Sequence, residues 1–173
     1  PLGLAARRWR RSAGPILGLT GVLFTIPSLA LFALLVPLTG LSRTTAEIGL
    51  VGYTLLILVR NIVAGLDGVP AEVREAAQGM GFRPLAQLVR VELPLAVPAI
   101  VAGIRIATVT TIGLVTVTGL IGQGGLGAFI IEGINRDFRT PLVVGSVCSI
   151  ALAVIADVAL AGAARLLSPW NRR

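Results

Sequence analysis

Apolar residues fall in four long blocks separated by short polar stretches. The blocks cover residues 16–38, 48–66, 95–118 and 141–163. Each has the length of a membrane-spanning helix, which needs about 20 apolar residues to cross the hydrocarbon core. The pattern predicts an all-α, polytopic helical membrane protein forming one transmembrane domain over residues 1–173. Thr39–Glu47 and Glu132–Arg139 are expected as short turns on one side, and residues 67–93 as a longer hairpin on the other. That hairpin is the longest polar interruption. A charged residue at the bilayer centre costs about 2.5–3.5 kcal/mol even on the lenient insertion scale, so the hairpin belongs outside the membrane.

Within the hairpin the residues predict two short helices and a sharp turn. Pro70 suits a first helical turn, and Glu72 and Glu75 lie near the positive end of that helix. Val69, Val73, Ala76, Ala77 and Met80 recur at helical spacing and predict one smooth, small-residue face. Gly79 and Gly81 can end the helix, since glycine takes the left-handed conformation without penalty. Pro84 restarts it, Leu85, Leu88 and Val89 form a second apolar face, and Leu93-Pro94 is expected to end the unit and open the next span.

Composition supports a membrane assignment: 55% hydrophobic, 13% charged, mean hydropathy +0.90. The net charge of +7 is carried by fifteen basic residues, all arginine. Most flank apolar blocks, as topology signals do, which argues against a nucleic-acid surface. Eleven would lie on the hairpin side, including Arg7, Arg8, Arg10 and Arg11 around Trp9. Only Arg43, Arg136 and Arg139 would lie opposite, so the hairpin is expected to be cytoplasmic. No histidine is present, the lone Cys148 lies in an apolar run, and no cluster has metal-ligand spacing. The chain opens on Pro1 rather than Met, which reads as a copy lacking at least one upstream span.

The hairpin carries a resemblance. Glu75-Ala76-Ala77, three residues, Gly81, nine residues, Val91, Glu92, Leu93-Pro94 is similar to the E-A-A-x3-G-x9-I-x-L-P motif of permease subunits in bacterial binding-protein-dependent ABC importers, with Val91 in place of Ile. The resemblance implies an ABC importer permease (MetI-like) fold. It also implies that Glu75, Ala76, Ala77, Gly81, Leu93 and Pro94 form a coupling element gripped by an ABC ATPase subunit. Thr25-Ile26-Pro27-Ser28-Leu29-Ala30 and Gln123-Gly124-Gly125-Leu126-Gly127 resemble stretches of permeases for osmoprotectants such as glycine betaine, choline and carnitine; the glycine run also resembles methionine-type importers. The implied partners are an ATPase that binds ATP and Mg²⁺, a second permease copy (homo- or heterodimer), an extracytoplasmic substrate-binding protein and the lipid bilayer, with no nucleic acid. This chain has no G-x4-G-K-[ST] phosphate loop, so no cofactor is expected on it and it reads as a transporter subunit, not an enzyme. A methionine or other amino-acid importer, or a non-transporting membrane scaffold, are the alternatives.

Residues proposed for the translocation path come from interruptions in the apolar blocks. Pro27, beside Ser28, should kink the first span, with Thr25 and Ser28 re-satisfying freed carbonyls. Gln123, Gly124 and Gly125 sit in a glycine run that holds a regular helix poorly, and read as a flexible extracytoplasmic or re-entrant turn near a gate. Arg105 follows Pro94 by 11 residues and Asp157 precedes Arg165 by 8, placing them about 16 Å and 12 Å from the hairpin side. At such similar depths they either pair or face a common wet cavity; the alternative is that Arg105 snorkels to the interface.

Overall fold

The computed structural model describes residues 25–167. Among them every regular element is helical. In chain order these are α1 (Ser28–Thr39), α2 (Arg43–Asp67), α3 (Ala71–Gly79), α4 (Pro84–Gln87), α5 (Leu93–Val117), α6 (Leu126–Asn135) and α7 (Arg139–Leu167). A π-turn, Leu88–Glu92, joins α4 to α5, and a 3₁₀ turn, Thr118–Ile121, ends α5. Three helical stretches among the described residues are long and apolar enough to cross a membrane: Arg43–Asp67, Pro84–Ile121 and Arg139–Leu166.

Residues 16–24 of the first expected span lie outside the described residues. Its described part is not a kinked helix. Thr25 is helical, Ile26 and Pro27 are not, and α1 starts afresh at Ser28 with Pro27 extended at its N-cap (ψ 138°). The cause is local: a residue before proline is pushed out of the α region. Tyr53 of α2, nearly buried, donates its hydroxyl to the Ile26 carbonyl at this break. At 12 residues α1 is about 18 Å long, too short to span alone.

α2 begins earlier than the polar pattern suggests. The Ser42 hydroxyl caps it by accepting from the Thr45 amide, and Arg43 pairs with Glu47 along the first turn at 2.8 Å, so Arg43–Glu47 is helix rather than turn. α2 and α5 pack antiparallel through small side chains. Gly65 lies against Ala96 and Ala99, Gly103 against Asn61, and the Thr54 and Thr111 hydroxyls meet at 3.0 Å. Ala96, Ala99 and Gly103 recur every three or four residues, with Thr111 two turns further on, a stripe that lets helix backbones approach in lipid, where no hydrophobic drive assists. At the far end Phe32 of α1, Ala46 of α2 and Ile121 form a buried cluster with Val36 and Val117.

The glycine run is a tight turn rather than a loose one. A side chain at Gly124 would strike the Gly119 backbone, and one at Gly127 the Thr116 backbone, both at less than van der Waals distance. The turn closes with paired bonds from Gln123 N–H to Thr118 C=O (3.0 Å) and Gly122 N–H to Gly119 C=O (3.1 Å). Glu132–Asn135, read from sequence as turn, completes helix α6, which the glycine content of residues 119–133 had concealed. α6 packs antiparallel on the start of α7, with Gly133 against Leu142 and Gly145 against Ile130.

Candidate functional site

The hairpin at the α2–α5 junction is a structured extension of two spans. α3 ends in a Schellman motif: Phe82 N–H bonds to Ala77 C=O at 3.1 Å, Gly81 N–H to Gln78 C=O at 2.9 Å, and Gly81 adopts φ +79°. A Cβ at Gly81 would meet nothing, so its conformation is what requires glycine. Glu75 and Ala76 are exposed, whereas Ala77 is 1% exposed and Val69 is buried beside it, with Val73 half-buried. The expected smooth face is therefore split. Val69, Val73 and Ala77 turn inward, where α3 packs on α4 and the π-turn, while Ala76 and Met80 turn out. Met80 (70% exposed), Leu85 (72%) and Val89 present apolar side chains on the outside of the hairpin.

Leu93-Pro94 does not end the unit. The backbone is helical for 38 residues from Pro84 to Ile121, about 57 Å against a hydrocarbon core of about 30 Å. A proline inside an α-helix lacks one N–H and clashes with the carbonyl four residues back. Here the preceding turn is widened, and Leu93 N–H reaches back five residues to Leu88 C=O. The wider turn also brings Gln87 and Glu92, five residues apart, onto one face. Their buried side chains bond at 2.9 Å, Gln87 Nε2 donating to Glu92 Oε1. Leu93 and Pro94 are half-buried. Of the six motif residues, Glu75, Ala76 and Gly81 thus lie at the surface, and Ala77, Leu93 and Pro94 lie beneath it.

Arg105 and Asp157 do pair. Arg105 Nε donates to Asp157 Oδ1 at 2.8 Å and its Nη2 to Oδ2 at 2.7 Å, a two-pronged bond between α5 and α7. Arg105 is two positions from both Gly103 and Ala107, so it projects from the side of α5 away from α2. The pair is 36% and 37% exposed and lines a 510 Å³ cleft with Ala102, Ile106, Val109 and Thr110. The other path candidates lie elsewhere. Pro27 is exposed and Ser28 half-buried at the start of α1; Gln123 and Gly125 are exposed and Gly124 buried in the turn beyond the end of α5. The three groups line no common cleft among those described.

Sequence reasoning missed several polar contacts. Arg74 of α3 donates from Nη2 to the carbonyl of Leu66 at 2.6 Å, at the end of α2. The Gln87–Glu92 bond and the Thr54–Thr111 contact went unforeseen too. Arg74 sits one helical turn before buried Ala77, which is the signal that it faces inward.

Comparison with known proteins adds the lineage. A family model described as "Binding-protein-dependent transport system inner membrane component" matches residues 1–169. The choline transport system permease protein OpuBB of Bacillus subtilis is 40% identical over 169 residues, which cover 98% of this chain and 78% of that protein. The osmoprotectant import permease protein OsmW of Salmonella typhimurium is 37% identical over 178 residues, covering 100% of this chain and 83% of that protein. A solved structure of the MetNI methionine ABC transporter, inward facing, superposes with a TM-score of 0.78 at 22% identity, covering 95% of this chain and 78% of that one. At that identity the likeness speaks for the fold, and it bears out the helical importer-permease architecture expected from the motif. With its apolar spanning helices, its EAA hairpin and a family match over nearly its whole length, this chain belongs to the binding-protein-dependent transport system inner membrane components.

Proposed function

We propose that this permease passes a quaternary ammonium osmoprotectant (glycine betaine, choline or carnitine), delivered by an extracytoplasmic binding protein, through an ATP-driven importer. Relatives named for choline and osmoprotectant import, at 40% and 37% identity, support the solute class. ATP and Mg²⁺ are held by a separate ATPase subunit, and a second permease copy completes the path. The observation that carries the coupling role is the hairpin's construction. α3 leaves Glu75 and Ala76 accessible while its inner face is packed on a helix continuous with a span. A load applied to the cytoplasmic hairpin is then transmitted to α5 instead of being absorbed by a slack loop. Nucleotide-driven closure of the ATPases would move the hairpins and open the path outward; hydrolysis would reset it.

Uptake by the complete transporter tests this reading. Labelled choline, glycine betaine or carnitine should accumulate in an ATP-dependent manner, and labelled methionine should not. Preferential methionine uptake would reassign the solute. Unchanged uptake on substitution of both Glu75 and Gly81 would instead favour a scaffold without a coupled path.

A further inference from the structure

We propose that Arg74 is the positioning residue that fastens the docking helix α3 to the spanning pair α2–α5. The inference rests on the coupling role given to the hairpin above. Three residues, Gly68, Val69 and Pro70, separate α2 from α3. Gly68 continues the α2 conformation (φ −71°, ψ −7°), and a glycine at this joint leaves the covalent connection alone a weak determinant of the angle between the helices. Arg74 does so from the side. Its Nη2 bonds to Leu66 C=O at 2.6 Å and approaches Asp67 C=O at 3.4 Å. These are last-turn carbonyls of α2, whose partial negative charge attracts a cation; the Leu66 carbonyl also accepts from Val69 N–H at 3.4 Å.

Leu66 is fully buried, and the neighbouring Gly65 is pressed against Ala96 and Ala99 of α5. A continuous route therefore runs from α3 through one guanidinium into the end of α2, and through a close backbone contact into α5. Arg74 Nε is buried and makes no hydrogen bond. The side chain thus gives up part of its own hydration to hold this position, as a solvated surface arginine would not. A bond from a charged donor to a helix end is also directional, so tilting α3 must either tilt α2 or break it.

The test uses the full transporter with its ATPase and binding protein, carrying Ala76→Cys as a docking reporter. Arg74→Ala should leave crosslinking from position 76 to the ATPase intact, yet lower the solute imported per ATP hydrolysed by about tenfold, the factor expected on losing one charge-assisted hydrogen bond. Arg74→Lys keeps the charge on a shorter, differently shaped donor and should fall between the two. An unchanged import-to-hydrolysis ratio in Arg74→Ala overturns the proposal, as does a loss of crosslinking in that variant, which would make Arg74 a docking or folding residue. A ratio in Arg74→Lys as low as in Arg74→Ala with crosslinking intact would still support the proposal, showing that charge without the reach of the guanidinium does not fasten the helix. If Ala76→Cys fails to crosslink even with Arg74 present, the hairpin reading itself is wrong.

Discussion

Two glycines show two different physical demands on one residue type. Gly81 is needed for its left-handed backbone and has open space around it; Gly103 has ordinary helical geometry but stands against Asn61. Gly81→Ala should therefore cost about 1 kcal/mol, the penalty for a Cβ in that conformation. Gly103→Ala would put a Cβ closer to Asn61 than atoms approach, forcing α2 and α5 apart at a cost of about 1–3 kcal/mol. Thermal unfolding of the solubilised complex should rank Gly103→Ala below Gly81→Ala. Asn61→Gly should recover much of the former loss; no recovery would mean that the α2–α5 contact lies elsewhere. The need for Gly81 was legible in sequence, because it follows a short capped helix. Gly103 was legible only as a small residue in a span, since nothing local names the residue across from it.

At the scale of elements, the sequence signals that misled were prolines. Leu93-Pro94 reads as a boundary and Pro27 as a kink, and the structure reverses both. Pro94 is carried inside a continuous helix by a π-turn, whereas at Pro27 the chain is extended and α1 starts afresh. The difference is the neighbourhood. Before Pro94 the chain is braced by the buried Gln87–Glu92 bond; at Pro27, buried Tyr53 donates to the half-buried carbonyl of Ile26 and rewards the break. Neither brace can be found from periodicity, because one spans five residues and the other twenty-seven. A consequence follows for Pro94→Ala. The restored N–H favours ordinary α geometry over residues 88–94, and residues five apart then diverge by about 140° around the helix. The Gln87–Glu92 bond breaks and α4 turns relative to α5. The isolated permease gains a backbone hydrogen bond but loses the buried side-chain one, so its stability should change by no more than about 1 kcal/mol, while uptake falls because the hairpin is misaligned. Thermal stability and labelled-solute uptake on the same preparation check both halves; an equally active variant would show that the π-turn has no part in coupling.

For the whole molecule, the contrast lies between two kinds of joint. α2 and α5 are joined by a stripe of small residues and one hydroxyl contact, whereas α5 and α7 are joined by the Arg105–Asp157 pair. That pairing was within reach of sequence because rise per residue is fixed and both charges could be measured from the same side of the membrane. The short helices α1 and α6 were not, because a run of apolar residues records length and not where the backbone turns. The joint makes a definite prediction. Removing either charge leaves the other alone in a span, at about 2.5–3.5 kcal/mol on the insertion scale, so Arg105→Ala and Asp157→Ala should each lower both membrane-inserted protein and uptake. Exchange of the two charges, Arg105→Asp with Asp157→Arg, should restore insertion. The apolar double variant, Arg105→Leu with Asp157→Leu, should also insert, because packing can replace a bridge once neither charge remains. The two doubles separate on transport. If the pair only fastens α7, both transport; if the polar cleft serves the path, the exchanged pair transports and the leucine pair does not, as the proposed path role requires. An exchange variant no better inserted than either single would show that the partners do not act as a pair in the membrane.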